Sequence, residues 1–155
     1  MKLLIMRHGA AEQHASSDAE RALTPSGWQQ SVAMARWLQT QPIVVKQVVA
    51  SPTRRTQQTF EALRSVLPQL TQLPQSLDLT PQGKVAPIIE QLQQDDALQL
   101  PVLLLISHMP LVSQLVGALC PHTTAPQFST STLAAIEFSR ASGRAMLQWL
   151  QNPPG

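Results

Sequence analysis

The chain has 155 residues, of which 43% are hydrophobic and 13% charged, and carries a formal net charge of +2. That length suits one domain with a sizeable core, and the composition is that of a folded chain whose many glutamines keep its surface polar. So small a positive charge, with no run or stripe of Lys and Arg, argues against a nucleic-acid partner, and no apolar stretch approaches the roughly 18 to 20 residues of a membrane span.

The single cysteine, Cys120, can form no internal disulfide and has no metal-ligand spacing around it. A reducing compartment is expected, with Cys120 as packing at a helix end and no metal site. The apolar run before Arg7 is too short for a signal peptide, so a cytoplasmic protein is expected.

Leu3-Leu4-Ile5-Met6 reads as a buried strand that runs out into Arg7-His8-Gly9. Residues 10 to 23 carry Glu12, His14, Asp18, Glu20 and Arg21 without a helical apolar period and read as a loop. Thr24-Pro25-Ser26-Gly27 offers a hydroxyl N-cap and a proline at the first helical position. The helix it opens should place Trp28, Val32, Ala35 and Leu38 on one face and run to about Gln39.

A second strand from Val44 to Ala50 should end near Ser51-Pro52 and lead into a helix bearing Phe60, Leu63, Val66 and Leu67. Ser76 to Leu79 reads as a short edge strand. Pro81 and Gly83 break it before a helix with Val85, Ile88, Ile89 and Leu92 on one face and Pro87 in its first turn.

Val102 to Ser107 is apolar on both faces, as a central parallel strand covered by helices should be, and is followed by His108-Met109-Pro110. Pro110 opens a helix whose Val112, Leu115, Val116 and Leu119 face the core. Thr132–Phe138 and Arg144–Leu150 flank Ala141-Ser142-Gly143 and read as a closing hairpin. The expected fold is α/β: one three-layer domain over residues 1–151, a mostly parallel central sheet flanked by helices, a C-terminal β-hairpin, and a frayed tail over residues 152–155. Trp28, Trp37, Trp149 and Met34 are expected in packing roles, Met109 in packing or at a pocket rim, and His14 and His122 in solvent.

In open α/β sheets ligands sit beyond the carboxyl ends of the strands, which is where His8 and His108 fall. Arg54 and Arg55 follow the end of the second strand, at a helix N-terminus where a cation gains nothing from the helix dipole. They could share one crevice with Arg7, His8 and His108. Forked guanidinium donors suit phosphate oxygens. No GxxxxGK run followed by Ser or Thr is present, and no Asp pair stands ready for magnesium, which disfavours a nucleotide-dependent kinase or a metal phosphatase. What remains is a histidine among cations. A neutral imidazole is a competent nucleophile toward phosphorus, and nearby positive charge keeps it neutral.

These motifs resemble, in order and over nearly the whole chain, the histidine phosphatase or phosphoglycerate-mutase-like superfamily, and most of all its small SixA-type phosphohistidine phosphatases. The resemblance is carried by Arg7-His8-Gly9, Arg21-x-Leu23-Thr24-x-x-Gly27, Ser51-Pro52-x-x-Arg55-x-x-Gln58-Thr59, Leu79-x-Pro81-x-Gly83 and Ser107-His108-x-Pro110. It implies a phosphoenzyme on His8, a phosphoryl clamp of Arg7 and Arg55, a pocket completed by His108, and Arg21 as a further phosphate or substrate contact. Arg54 falls outside the pattern and is expected in solvent; Ser51 and Ser107 are expected to satisfy turn backbone groups.

Larger members carry a helical lid and an acid for the leaving oxygen. Here only a few residues separate Leu77 from Gly83, so no helical lid is expected, and Asp78 and Glu12 are the nearest acid candidates. The reading is a metal-independent hydrolase in signal transduction, without cofactor and favoured as a monomer. It would remove phosphate from a histidine of a phosphotransfer domain or phosphocarrier. Its rivals are a small-molecule phosphomonoester phosphatase of the same superfamily and a non-catalytic phosphoprotein-binding module.

Overall fold

Alternation along two neighbouring strands sets the layers of this molecule. Lys2–Arg7 and Val102–Ser107 run parallel, with Leu3 opposite Leu103 and Ile5 opposite Leu105. Leu3, Ile5, Leu103 and Leu105 belong to one buried cluster, while Leu4, Met6, Leu104 and Ile106 belong to another on the opposite face. The two-residue period of a strand therefore delivers apolar side chains to both faces, and each must be covered.

The computed structural model describes residues 1–155. Its strands are β1 (Lys2–Arg7), β2 (Gln47–Ala50), β3 (Thr71–Gln72), β4 (Val102–Ser107), β5 (Leu133–Phe138) and β6 (Ala145–Gln151). Its helices are α1 (Pro25–Gln39), α2 (Arg54–Val66), α3 (Val85–Gln94) and α4 (Leu111–Leu119). The sheet order is β3-β2-β4-β1-β5-β6. Pairing is parallel from β3 through β1 and antiparallel where β5 joins β1 and β6 joins β5.

Met34, Ala35 and Leu38 of α1 and Phe60 and Leu63 of α2 cover one face; Ile88 and Leu92 of α3 and Val112, Leu115 and Val116 of α4 cover the other. No helix is long and apolar enough to cross a membrane.

Local chemistry explains the boundaries. α1 begins where the sequence predicts, with Thr24 accepting from Gly27 N at 2.9 Å and Pro25 in the first turn. Pro87 lies in the first turn of α3, where no intrahelical N–H is needed. The hairpin forms as expected, with Gly143 at φ +68°, a conformation that glycine adopts without strain. Trp149 of β6 meets Trp37 of α1 edge to face at 5.1 Å, fastening the hairpin to the helical layer. Beyond β6, Asn152 accepts a hydrogen bond from Thr132 at 2.7 Å. Cys120 caps the end of α4 and packs in the core.

Two expectations fail. Ser76–Leu79 is not an edge strand: Leu77–Leu79 forms a single 3-10 turn, with Ser76 Oγ accepting from Asp78 N. Serine here satisfies a nearby N–H itself, which favours a turn over a ladder. Leu79 is buried and Leu77 is 77% exposed, so a turn reproduces the alternation that reads as a strand. The edge belongs instead to β3, where Thr71 N donates to Lys46 O at 2.7 Å and Leu73 N to Val48 O at 2.8 Å. β2 is also shorter than expected, and Val44 lies 66% exposed outside it.

Candidate active site

Strand register builds the site. Arg7 is opposite Ser107, and the ladder continues one step further as His8 N donates to Ser107 O at 3.1 Å. On the other side of β4, Ser51 N donates to Ile106 O at 3.1 Å. His8, His108 and Ser51 thus leave three adjacent strands at one sheet edge, and the rings of His8 and His108 meet edge to face with centroids 5.2 Å apart. A slip of one residue would turn either histidine to the opposite face.

The other motif residues fix the loops around this edge. A Cβ on Gly9 would lie 2.5 Å from Gly27 O, and one on Gly27 would lie 2.0 Å from Ala10 O, so the loop after β1 and the start of α1 touch backbone to backbone. Thr59 Oγ1 accepts from Gly9 N at 3.0 Å and donates to Arg55 O at 2.8 Å. Gln58 Oε1 accepts from Leu23 N at 2.7 Å. Ser131, fully buried at φ +60°, donates its N–H to His8 O at 3.0 Å. A non-glycine residue held in that conformation costs energy that the surrounding structure must offset.

His8 Nδ1 lies 2.6 Å from Gly9 O. A carbonyl can only accept, so Nδ1 carries the hydrogen and Nε2 keeps its lone pair. Burial, reinforced by Arg55, Arg7 and Arg21 and opposed by the Gly9 bond, lowers the His8 pKa to about 4. Burial, with His8 and Arg55 adding to it, lowers that of His108 to about 3. Both rings are neutral at neutral pH. The sequence reading credits neighbouring cations for this; loss of hydration contributes more.

Arg55 is 3% exposed, whereas Arg54 next to it is exposed, as expected. Arg7 Nη1 donates to Phe128 O at 2.8 Å. Arg55 Nη1 and Nη2 donate to the carbonyl and carboxylate of Asp18 at 2.7 and 3.0 Å. The other Asp18 oxygen takes Arg21 Nη1 at 3.0 Å, and Arg21 Nε donates to Glu12 O at 2.6 Å. Hydrogen bonds from Arg21 and then Arg55 hold the Asp18 carboxyl below the usual carboxylate range. Sequence reasoning places Asp18 only in a loop. Its spacing three residues before Arg21 is the one signal that could have marked it.

The buried side-chain nitrogen and oxygen atoms without a hydrogen-bond partner in the protein are Arg7 Nε, Arg55 Nε and His108 Nδ1. All three belong to this one site. Buried polar groups are ordinarily paired, so three together mark where a ligand with several acceptor oxygens belongs. Of the acid candidates, Asp78 lies on the α3 side, accepting from Gln91 Nε2 at 2.6 Å, and Glu12, whose carbonyl takes Arg21 Nε, has an exposed side chain.

A family model described as "Histidine phosphatase superfamily (branch 1)" matches residues 3–78. The phosphohistidine phosphatase SixA of Escherichia coli (strain K12) is 38% identical over 157 residues, covering 99% of this chain and 94% of that protein. The chain belongs to the histidine phosphatase superfamily, among its SixA-type members.

A SixA homolog of Haemophilus influenzae is 29% identical over 147 residues, covering 88% of this chain and 87% of its own. Among solved structures, that of the protein histidine phosphatase SixA complexed with tungstate superposes with a TM-score of 0.89 at 38% identity, covering 99% of this chain and 97% of its own. The SixA-type fold thus accounts for the sheet order and both helical layers described above.

Proposed function

We propose that this SixA-type chain is a phosphohistidine phosphatase, a hydrolase that dephosphorylates a protein histidine through a phosphoenzyme on His8. The observation carrying this reading is the trio of unpaired buried nitrogens, Arg7 Nε, Arg55 Nε and His108 Nδ1, in the site that holds the neutral His8 ring. The tungstate complex of the SixA relative supports it, since tungstate is an oxyanion like phosphate.

In the first step His8 Nε2 forms a bond to phosphorus as the bond from phosphorus to the substrate imidazole breaks, and the departing nitrogen takes a proton. Gly9 O, on Nδ1, stabilises the positive charge that grows on the His8 ring. Arg7, Arg55 and His108 act on charge spread over the phosphoryl oxygens. Water then attacks phosphorus, frees phosphate and restores His8. Arg21, steadied by Asp18, adds positive charge at the rim.

The acids argue for a phosphohistidine substrate. Asp78 is turned to Gln91, Glu12 is exposed, and Asp18 is held ionised by two arginines, so none is poised to protonate an alkoxide. An imidazole leaves more readily and can take its proton from water. The partner is then a phosphotransfer domain or phosphocarrier in the cytoplasm. Turnover of a phosphohistidine-bearing protein should exceed that of simple phosphomonoesters by orders of magnitude; equal or reversed rates would refute the substrate class.

A further inference from the structure

A run of buried hydroxyl groups lies behind His108. Its Nε2 stands 2.9 Å from Ser51 Oγ and 3.4 Å from Thr53 Oγ1. Ser51 Oγ is 3.4 Å from Thr53 Oγ1, which is 2.9 Å from Thr56 Oγ1. Thr56 Oγ1 reaches Ser51 O at 2.6 Å and Thr53 O at 2.8 Å. Ser51 and Thr56 are fully buried, Thr53 is 5% exposed and His108 2%.

Hydrogen counting fixes the direction of this chain as far as Ser51. Carbonyl oxygens only accept, so the Thr56 hydroxyl hydrogen is committed to the backbone, and Thr56 Oγ1 accepts from Thr53. That commits the single hydroxyl hydrogen of Thr53, whose Oγ1 can then only accept on its other side. Ser51 Oγ accepts from Thr53 N at 3.3 Å. The Ser51 hydroxyl hydrogen alone has a choice. Turned to His108, it donates to a bare Nε2; turned to Thr53, it leaves Ser51 Oγ as an acceptor for an Nε2–H.

On its other side the His108 ring carries Nδ1, which has no partner in the protein. The charged and titratable groups acting on the ring are His8 from β1, Arg55 from α2, and Asp18 and Arg21 from the loop after β1. We infer that Ser51, held by the Thr53 backbone N–H and by the Thr56 hydroxyl on its carbonyl, is a positioning residue that keeps a hydrogen on His108 Nδ1 facing the bound phosphoryl oxygens. An anion beside the partnerless Nδ1 selects a ring with a hydrogen there: neutral, with Ser51 donating to Nε2, or doubly protonated, with Ser51 accepting from Nε2–H. Both arrangements present Nδ1–H to the anion. Without Ser51 the nearest group to Nε2 is Thr53 Oγ1, an acceptor, which draws the hydrogen to Nε2 and turns the Nδ1 lone pair toward the anion. This rests on the reading that the crevice holds the phosphoryl group.

The test is nitrogen NMR of the full chain labelled with 15N-histidine, with and without inorganic phosphate. In phosphate-bound wild type His108 Nδ1 should carry a hydrogen; a bare Nδ1 with phosphate bound overturns the inference while leaving the proposed function standing. If phosphate shifts neither His8 nor His108, the anion site itself is wrong and both fall.

Ser51→Ala should move the hydrogen to Nε2 and weaken phosphate binding and kcat by roughly tenfold to a hundredfold. Thr53→Val should keep the Nδ1–H arrangement, because Ser51 can still donate. An unchanged tautomer in Ser51→Ala overturns the inference. The wild-type spectra decide it if that variant does not fold.

Discussion

Asp18 grips both amino groups of Arg55, one through its backbone carbonyl at 2.7 Å and the other through its carboxylate at 3.0 Å. The loop between β1 and α1 therefore orients the guanidinium rising from α2, and leaves its Nε–H free on the other side. The same carboxylate is a negative charge close to where a phosphoryl group would sit, so it has two opposed effects.

These effects separate in Asp18→Ala. Removing a like charge should leave inorganic phosphate binding unchanged or tighter. Losing the fixed orientation of Arg55 and Arg21 should lower kcat by about tenfold. Calorimetry with phosphate alongside steady-state kinetics checks this; parallel losses in both would show that the Asp18 charge does not oppose the anion.

Arg54 and Arg55 provide an internal comparison, since neighbouring guanidinium groups stand in opposite surroundings. Arg55→Ala should reduce kcat/KM by roughly a hundredfold to a thousandfold, as loss of a charge-stabilising donor does. Arg54→Ala should stay within about threefold of wild type, a surface substitution away from any special contact. Kinetics on one phosphohistidine protein decides it. Equal effects would place the clamp elsewhere.

Much of this was legible in the chain itself. Proline and a hydroxyl cap mark the start of α1, two-sided apolar runs mark β1 and β4, and a Gly-bearing turn marks the hairpin; each is local, so periodicity reports it. The candidates Arg7, His8 and His108 were also legible, because strand ends are where such sheets place chemistry, whereas Arg55 was separated from Arg54 only by the family resemblance. What escaped depends on contacts between distant segments. Nothing near Asp18 announces Arg55, nothing near Ser51 announces His108, and the Leu77/Leu79 alternation suits a strand and a turn equally until Ser76 caps it.

Gly27 shows how such distant contacts constrain a motif. Gly27→Ala drives a methyl toward Ala10 O, with 2.0 Å available, so either α1 or the His8–Gly9–Ala10 segment must move. Denaturant unfolding should show a loss of about 1–3 kcal/mol. A variant as stable as wild type would mean that the two backbones do not touch.

Stability should also depend on pH through the buried histidines. Their folded pKa values, about 4 for His8 and about 3 for His108, lie below the ordinary 6.5 expected when unfolded. Between these limits the unfolded chain binds more protons than the folded one, so stability rises with pH across that window. The contribution is complete above pH ~6.5 and is lost as pH falls toward 4 and then 3. Urea unfolding from pH 7 to pH 4 should show the decline, and His108→Asn should flatten it. An identical slope in that variant would assign the effect to other groups.

The central claim is that phosphorus becomes bonded to His8. Rapid acid-free quenching of the enzyme with a phosphohistidine protein, followed by peptide mass spectrometry, measures this directly. The account predicts an acid-labile phosphate on His8 that is lost in His8→Ala; phosphate on His108 instead, or a labelled intermediate persisting in His8→Ala, would contradict it.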